Sequence, residues 1–463
     1  MGRIHYTYLL LICIVSAMGG LLFGYDWVVI GGAKPFYEAF FDISASPALQ
    51  GWAMSCALVG CLAGALSAGI FSDRFGRKRM LVVAAFLFIV SSAGTGAAGG
   101  FMLFIVWRML GGFAIGLASN VSPLYIAEVA PAELRGRLVS LNQLTIVLGI
   151  LLAQIVNWQV ADPVPDNATA EVIRESWNGQ YGWRWMFWIT NIPAMLFFAG
   201  AFFVPESPRW LSMHGRTDQA RQVLTRIGSA EYADQELKNI AAATETETVA
   251  RKGGLRRLLH PSMRRVLVIG VVLAVFQQWC GINVIFNYAQ EIFAAAGYGI
   301  SDTLMNIVVT GVTNVIFTFV AIFTIDRLGR RALLLFGAGG LAVIYLLLGG
   351  AYYLGLNGVA LLVIVVLAIA CYAMSLAPVM WVVISEIYPN SVRSAAMSVA
   401  TFALWFASFV LTYTFPLLNR ALGAAGTFWS YGVICLLGWL FVRRSLPETK
   451  NKSLEAIEKE LIK

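Results

Sequence analysis

Two charged side chains, Asp26 and Arg108, lie within long runs of apolar residues. A carboxylate placed in hydrocarbon costs at least ~2.5 kcal/mol on insertion scales, so it should face the protein interior and have a partner. By their depth in the apolar runs, both residues fall in the outer half of a bilayer, which favours an ion pair between them. Because arginine does not release its proton in proteins, Asp26 is the member of the pair that can bind and release one.

Proton exchange at Asp26 would give this pair two arrangements. The ionised carboxylate holds Arg108, and the protonated one frees the guanidinium for other partners. A balance between two arrangements that depends on proton binding is what coupling to a second ligand requires. On the residues alone, the alternative is a structural ion pair that never titrates.

A second set of side chains suits a neutral ligand with many hydroxyl groups. The seventh apolar run carries Gln277, Gln278 and Asn283, and Gly281 could open the helix there. Amides donate and accept hydrogen bonds, and aromatic rings pack against C–H faces. The alternative is that such amides bond across a helix bundle as packing groups. Other apolar runs add residues of the same kinds, namely Phe23, Gln143, Asn314, Trp381 and Trp405.

The elements that must position these side chains are membrane spans. Of 463 residues, 59% are hydrophobic and 13% are charged, and the mean hydropathy is +0.74. A soluble domain is about a quarter charged, whereas lipid tolerates so apolar a surface. The net charge of +8 sits between apolar runs of bilayer-spanning length, which argues against a nucleic-acid partner. We predict twelve spans, near 8–33, 48–71, 80–99, 101–127, 137–160, 184–204, 265–296, 303–325, 332–354, 359–387, 395–418 and 425–443.

The predicted orientation follows from Lys and Arg in the short loops. Ten of them lie in one alternate set of loops, at 72–79, 128–137, 326–331 and 388–394. Three lie in the opposite set, namely Lys34, Arg174 and Arg420. The first set is therefore predicted to be cytoplasmic, and an even number of spans places both termini there too. Short amphipathic helices are predicted in the linker after the sixth span and in the C-terminal tail.

The chain repeats its own motifs at an offset of about half its length. The segment Asp73-Arg74-Phe75-Gly76-Arg77-Lys78 recurs in form as Asp326-Arg327-Leu328-Gly329-Arg330-Arg331. Pro205-Glu206-Ser207 recurs as Pro447-Glu448-Thr449 after the last span. Similar elements at matching topological places indicate duplicated six-span halves. The predicted domains are two six-helix bundles at 1–204 and 265–444, a cytoplasmic linker at 205–264 and a cytoplasmic tail at 445–463.

These motifs resemble those of the sugar porters of the major facilitator superfamily over essentially the whole chain. The sugar-porter branch is indicated by Gly182-Trp183-Arg184, Pro205-Glu206-Ser207-Pro208-Arg209-Trp210-Leu211, Gln277-Gln278 with Gly281-Ile282-Asn283, and Pro447-Glu448-Thr449-Lys450. The pattern is most similar to the xylose–proton and glucose–proton symporters of bacteria. The resemblance implies an all-α membrane protein with twelve transmembrane helices in two pseudo-symmetric bundles, acting as a monomer in the bacterial cytoplasmic membrane.

The resemblance also implies roles for the polar residues. Proton symporters of this family carry an acid in Gly-Tyr-Asp, where facilitative carriers usually have a neutral residue, so Asp26 with Arg108 is expected to couple transport to the proton. No other cofactor is expected. The family's sugar contacts match this sequence at Gln143, Gln277, Gln278, Asn283, Asn314 and Trp381, to which Phe23 and Trp405 are added.

Two departures from the family pattern leave the substrate open. Leu404 stands where xylose symporters have Gln and many glucose carriers have Asn. Asn287-Tyr288 replaces the usual Tyr-Tyr, which removes one aromatic of the external gate. The expected substrate is a monosaccharide, hexose or pentose, such as D-glucose or D-xylose. Facilitated sugar uniport and polyol or inositol symport remain alternatives.

Charged residues at the predicted cytoplasmic ends form a candidate lock. Basic residues there follow from the positive-inside rule, but the acids Glu128 and Glu386 at helix ends do not. With the family, we hypothesise that ion pairs across helices close the cytoplasmic side in the outward-facing state. The lock set is Asp73, Arg74, Arg77, Glu128, Arg135, Arg137, Asp326, Arg327, Arg330, Arg331, Glu386 and Arg393.

Other classes of protein are disfavoured. The six cysteines lie in apolar runs without C-x-x-C spacing, and the three histidines lie outside the spans, so no metal site is expected. An intramembrane enzyme would need a nucleophile–base set, a metal or paired acids, and only one deeply placed acid is predicted. A non-transporting sugar sensor of the fungal kind would carry a long cytoplasmic tail.

Overall fold

The computed structural model describes residues 4–165, 168–251, 261–388 and 392–450. Within these ranges the regular secondary structure is helical throughout. The predicted C-terminal helix after Ser453 lies outside the described residues. Long apolar sequences form helices here because a bilayer leaves no water to satisfy free backbone N–H and C=O groups.

The first part of the chain forms five long helices and a sixth span in pieces. The sixth span contains a π-helical turn at Asn178–Gly182 followed by two α-helices. The five long helices are α1 Tyr6–Phe40, α2 Pro47–Phe75, α3 Arg77–Ala97, α4 Phe101–Val129 and α5 Ala132–Val160. A short helix, α6 Ala170–Glu175, precedes the sixth span, whose two α-helices are α7 Trp183–Trp188 and α8 Asn191–Phe203.

The linker after the sixth span forms three helices, α9 Pro208–Met213, α10 Thr217–Ile227 and α11 Ala230–Arg251. Leu224 of α10 packs with Ala233 and Ile240 of α11 in a small apolar core. Arg221 and Asp234 join the same two helices by an exposed ion pair of 2.7 Å. The Trp210 indole of α9 donates to the Asp73 carbonyl at 2.8 Å, which fastens this segment under α2.

The second part of the chain forms six further spans, several of them broken. The seventh span consists of α12 Pro261–Trp279, α13 Ile282–Asn287 and α14 Ala289–Ala295. The eighth and ninth spans are α15 Ile300–Leu328 and α16 Arg330–Tyr353. The tenth span consists of α17 Val359–Ala373 and α18 Leu376–Ile387, and the last run is α19 Arg393–Ser445. The α19 run is interrupted at Gly423, whose φ of 68° is not helical.

Eleven helical segments among the described residues are long and apolar enough to cross a membrane. The last of them covers 51 residues, about twice what one crossing needs, and Gly423 divides it in two. The described chain therefore makes twelve crossings, and the prediction of a multi-pass all-α membrane protein is confirmed.

The first span differs from its prediction at its C-terminal end. It was expected to end at residue 33 and to leave Lys34 in an external loop, but α1 continues to Phe40. Lys34 is buried inside this helix at 3% exposure. The physical reason is that its charge is met by carboxylates within the protein, so it does not need water.

Packing divides the chain into two compact units. One comprises the described residues of Met1–Asp26, Val59–Ile150 and Phe187–Lys252, and the other those of Trp27–Leu58, Leu151–Met186 and Gly253–Lys463. They are called the first and second unit below, and each is described by itself. The division into six-helix halves at 1–204 and 265–444 remains a prediction.

Candidate functional site

Asp26 and Arg108 form a buried ion pair in the first unit. Arg108 Nη1 of α4 lies 2.8 Å from Asp26 Oδ1 of α1, and the two side chains are 3% and 5% exposed. Arg108 Nη2 also donates to the Asp26 backbone carbonyl at 3.3 Å. Its guanidinium carbon lies 5.4 Å from the centre of the Phe187 ring. The structure thus brings together the two residues that the sequence predicted as partners.

The second carboxylate oxygen of Asp26 is available to accept a further hydrogen bond or a proton. Asp26 Oδ2 is buried and has no hydrogen-bond partner among the described residues. An ionised carboxylate accepts only, and its protonated form adds one O–H donor. A proton can therefore be placed on Oδ2 without displacing the Arg108 contact on Oδ1.

The predicted sugar-binding amides lie at the break in the seventh span, in the second unit. Gly281 has φ 85°, and the helix restarts at the next residue. Gln277 and Gln278 before the break are 4% and 7% exposed. Asn283 after the break donates to Gln278 Oε1 at 2.5 Å, and Gln277 donates to the Ala377 carbonyl at 3.4 Å.

The predicted aromatic residues of the second unit lie on helices that pack against the seventh span. α12 packs against α18, which carries half-buried Trp381, and against α19, which carries Trp405. Trp405 is 5% exposed, and its ring centre lies 6.0 Å from that of Trp27. Asn314 of α15 is buried at 5% exposure. The unit therefore supplies buried amides and indoles together, the inventory that a polyhydroxylated ligand needs.

Leu404 and Asn287, the two departures from the family pattern, are both buried. Leu404 is 5% exposed beside Trp405, and Asn287 is 4% exposed at the end of α13. Asn287 Oδ1 has no hydrogen-bond partner among the described residues. The next residue, Tyr288, donates its hydroxyl to the Thr412 carbonyl at 2.6 Å.

The two remaining sugar-site candidates belong to the first unit. Gln143 of α5 and Phe23 of α1 are both half-buried. Their helices are joined nearby by Thr145, whose hydroxyl donates to the Ala17 carbonyl at 2.8 Å. The role of both residues in sugar binding stays a prediction.

The lock residues of the first unit are organised by Arg77 at the start of α3. Its guanidinium donates to both oxygens of Glu128 at 2.9 Å and lies 3.2 Å from Asp73. Arg77 and Glu128 are nearly inaccessible to solvent, with side chains 5% and 4% exposed. A planar guanidinium matches a carboxylate in this bidentate geometry. The partner of Glu128 is thus Arg77, while Arg135 is exposed.

The second unit repeats this arrangement in looser form. Arg330 at the start of α16 lies 3.4 Å from Glu386 of α18, and Arg331 donates to the Arg443 carbonyl at 2.7 Å. Arg327 is exposed, and its carbonyl accepts from Lys450 Nζ at 2.7 Å. The other lock candidates are exposed Arg137, Arg74 with its guanidinium 5.3 Å from the Phe75 ring centre, and Asp326 and Arg393, whose side chains lie outside the described residues.

Two acids of the repeated motifs have a role that the sequence did not reveal. Glu206 accepts from the backbone N–H groups of Arg77 at 2.8 Å and Lys78 at 3.1 Å. Glu448 accepts from those of Arg330 at 2.9 Å and Arg331 at 3.1 Å. Each carboxylate therefore caps the N-terminus of a helix, where free N–H groups and the helix dipole favour an anion.

The glycine before each capped helix explains part of the repeated pattern. Gly76 and Gly329 have φ values of 97° and 90°, which side chains with a Cβ rarely adopt. A Cβ at Gly76 would lie 2.2 Å from Glu206 Oε2, and one at Gly329 would lie 2.8 Å from Glu448 Oε2. The glycines thus allow the turn and leave room for the capping acid.

Hydrogen bonding also sets the protonation of Glu448, which lies beyond the last span. Burial alone would raise its pKa, but hydrogen bonds from four backbone N–H groups favour the charged form. Together they hold the pKa of Glu448 below its ordinary value. The cap is therefore fully charged at neutral pH.

Sequence reasoning missed two further acids. Only one deeply placed acid was predicted, yet Glu38 of α1 is 6% exposed, and Glu291 of α14 has a buried carboxylate oxygen. Both contact Lys34 in the second unit. The available signal was the i, i+4 spacing of Lys34 and Glu38, which pairs opposite charges on one helix face.

Comparison with known proteins shows which family has this sequence. The chain matches the sequence profile of the sugar (and other) transporter family over residues 12–461. It is 39% identical to the arabinose-proton symporter of Bacillus subtilis, with 98% of this chain and 96% of that protein covered. It is 38% identical to the D-xylose-proton symporter of Escherichia coli K12, with 98% and 95% covered.

Comparison of the fold with solved structures also points to sugar transporters. The inward-open structure of the xylose transporter XylE from E. coli matches with a TM-score of 0.86 and 36% identity, covering 98% of this chain and all of that one. Twelve apolar crossings with the major facilitator fold define a multi-pass membrane transporter, not an enzyme. The chain belongs to the sugar (and other) transporter family.

Proposed function

We propose that this protein carries a monosaccharide and a proton together across the membrane by alternating access. The observation that carries the proposal is the buried Asp26–Arg108 pair with one carboxylate oxygen left unpartnered. Such an acid can bind a proton, and its bound state changes how Arg108 is held. A facilitative carrier has no need for a titratable acid buried at this cost.

The proposed sugar ligands are the amides at the break in the seventh span, with Asn314 and the indoles of Trp381 and Trp405. Gln143 and Phe23 are proposed as further ligands on the strength of the family pattern. The named relatives carry arabinose, D-xylose or glucose, so a pentose or a hexose is the proposed substrate class. Because Leu404 offers no hydrogen bond, the sugar should lose one polar contact beside Trp405.

We propose that the protein resides in a bacterial cytoplasmic membrane as a lipid-embedded monomer with both termini inside. The asymmetry of Lys and Arg between alternate loops supports this orientation. The pairs Arg77–Glu128 and Arg330–Glu386 are proposed to hold the cytoplasmic ends of their own helices in the outward-facing state. The six-helix halves at 1–204 and 265–444 are the proposed moving bodies.

Purified protein in proteoliposomes tests the proposal directly. A panel of radiolabelled D-xylose, L-arabinose, D-glucose and myo-inositol is supplied with and without an imposed pH gradient, while external pH is recorded. Symport predicts external alkalinisation on addition of the substrate and accumulation that needs the gradient. Transport of a sugar without either effect would establish uniport, and transport of inositol alone would establish a polyol carrier.

A single substitution addresses the sugar's identity. Leu404→Gln restores a polar group beside Trp405, and we expect it to lower the apparent KM for D-xylose about three- to tenfold, as one added hydrogen bond of about 0.5–1.5 kcal/mol allows. Leu404→Met, which keeps the position apolar, is the matched control. An equal effect of both variants would place position 404 away from the bound sugar.

A further inference from the structure

Three charged side chains, two of them buried and one partly exposed, form a cluster at the end of α1 that the predicted topology places outside. Lys34 Nζ lies 2.8 Å from Glu38 Oε1, one helical turn further along α1. The same Nζ contacts Glu291 Oε1 of α14. The side chains of Lys34 and Glu38 are 4% and 7% exposed, and that of Glu291 is 27% exposed. These residues are called the Lys34 cluster below.

The Lys34 cluster holds two carboxylates against one ammonium group. With all three groups ionised it carries a net charge of −1 in a place where solvent compensates little, which is costly. Gln50 of α2 donates to Glu38 Oε2 at 3.3 Å. Glu291 Oε2 is buried and has no hydrogen-bond partner among the described residues. Binding of one proton would remove the surplus charge.

The neighbouring ionisable groups cannot remove that charge in another way. Tyr37 and Tyr288 interact electrostatically with both acids, but a phenol titrates near pH ~10 and is neutral at physiological pH. Tyr37 donates its hydroxyl to Met54 Sδ at 3.2 Å, and Tyr288 donates to the Thr412 carbonyl. Both phenols are thus committed elsewhere. Among the described residues around Lys34, Glu38 and Glu291 are therefore the groups that can accept the proton.

The contact between Lys34 and Glu291 joins α1 to a short, separately hinged helix. α14 has seven residues and begins after Tyr288, whose φ of −120° and ψ of 28° end α13. A second break lies at Gly281. Because α14 lies beyond both breaks, it can move while α12 stays fixed.

We propose that the Lys34 cluster is a second proton-binding site, reached from the outside, and that its protonation releases α14 from α1. Glu291 is the most exposed member, and its Oε2 has neither a hydrogen bond nor an ion pair among the described residues, so it is the acid that an external proton reaches first. Neutral Glu291 holds Lys34 less tightly, while Glu38 keeps the ammonium paired on α1. The inference rests on the proposed function only in requiring that the external side open and close.

The test measures exposure beside α14 and needs no sugar. Asn287→Cys places a thiol at a position that is 4% exposed, and Leu356→Cys places one in a loop that is 47% exposed. Right-side-out vesicles are treated with a membrane-impermeant methanethiosulfonate between pH 5 and pH 8. The labelling rate of Asn287→Cys is divided by that of Leu356→Cys, and this ratio cancels the pH dependence of thiol reactivity. The chain with its six buried cysteines alone gives the background.

The proposal predicts different pH profiles for two isosteric substitutions. With the cluster intact, the ratio rises as the external pH falls. Glu291→Gln mimics the protonated state and should raise the ratio at pH 8 about tenfold, a change equivalent to about 1.4 kcal/mol, and make it independent of pH. Glu38→Gln leaves a neutral one-to-one pair of Lys34 with Glu291, so the ratio should stay low throughout.

Two results would overturn the proposal. One is a ratio that does not change with pH while the cluster is intact. The other is a ratio at pH 8 that Glu291→Gln leaves unchanged, or a ratio at pH 5 that stays as high in Glu38→Gln as in the intact cluster. The Leu356→Cys rate and gel filtration verify folding, and Lys34→Gln, expected to label rapidly at every pH, replaces Glu291→Gln if that variant misfolds. Failure of sugar-dependent alkalinisation would refute the proposed function and leave this labelling result valid.

Discussion

Replacement of Asp26 by Asn is the most direct perturbation of the coupling mechanism. Asn has the shape of Asp and can still accept a hydrogen bond from Arg108, which lies 2.8 Å away in the native pair. It cannot bind a proton. Because both side chains are almost fully buried, the change also leaves a buried guanidinium without its counter-charge, which costs about 3–5 kcal/mol. We therefore expect a lower thermal midpoint in detergent as well as altered transport.

The size of the transport effect follows from the energy of one proton. Moving one charge down a potential of 100 mV contributes about 2.3 kcal/mol, and every 1.4 kcal/mol is a factor of about ten. One proton per sugar therefore supports about 40-fold accumulation at 100 mV. If Asp26 is the coupling acid, Asp26→Asn should reduce this ratio to about one, since sugar can then only equilibrate.

The assay is uptake into proteoliposomes with an imposed potential of 100 mV and equal pH on both sides. Asp42→Asn is the matched control, because Asp42 is exposed beyond α1 and its φ of 56° is one that Asn accepts readily. The control should accumulate sugar as the native protein does. Uphill accumulation by Asp26→Asn would refute the assignment of Asp26, whatever its effect on stability.

Three further predictions concern other parts of the molecule. Glu128→Gln removes the charge opposite Arg77 and should shift side-specific thiol labelling toward the inward-facing state; unchanged labelling would argue against the lock. Gln277→Ala should raise the apparent KM about three- to tenfold, as loss of one hydrogen bond implies, with little change in thermal stability. Because the pKa of Glu448 is held below its ordinary value, its stabilising effect should be present above pH ~4.3 and lost as pH falls through the lowered value. Glu448→Gln should therefore destabilise the protein at pH 7 and reduce the stability that it loses between pH 5 and pH 3, as measured by thermal unfolding.

The spans were predictable because their signal is local. Each is a run of apolar residues whose length is fixed by the bilayer, and the predicted ends fall within a few residues of those in the structure for most spans. Gly281 was recognised as a place where a helix could open, since glycine readily adopts the positive φ that it has here. The break between α17 and α18 was not predicted, because Ser375 at that break carries no comparable signal in the sequence.

The parts that sequence reasoning missed depend on partners far along the chain. Lys34 was assigned to a loop because the first span was predicted to end at residue 33, and its partner Glu291 belongs to another helix. The capping role of Glu206 and Glu448 was missed for the same reason. Their motifs were visible, but the helix N-termini that they bind lie more than 100 residues earlier. Local sequence predicts helices well, whereas contacts between residues far apart in the sequence become evident only in the structure.

The largest departure from the family pattern and the Lys34 cluster occupy the same short stretch of chain. Asn287 stands where an aromatic of the external gate is expected, and Glu291 follows it by four residues, one helical turn further on. An aromatic closes a gate by burying apolar area, which does not respond to pH. An ion pair between α1 and α14 can close the same place, and protonation of its acid weakens it. With Asn in place of the ring at position 287, the proposed closure between α1 and α14 depends on an ion pair that external protons can release.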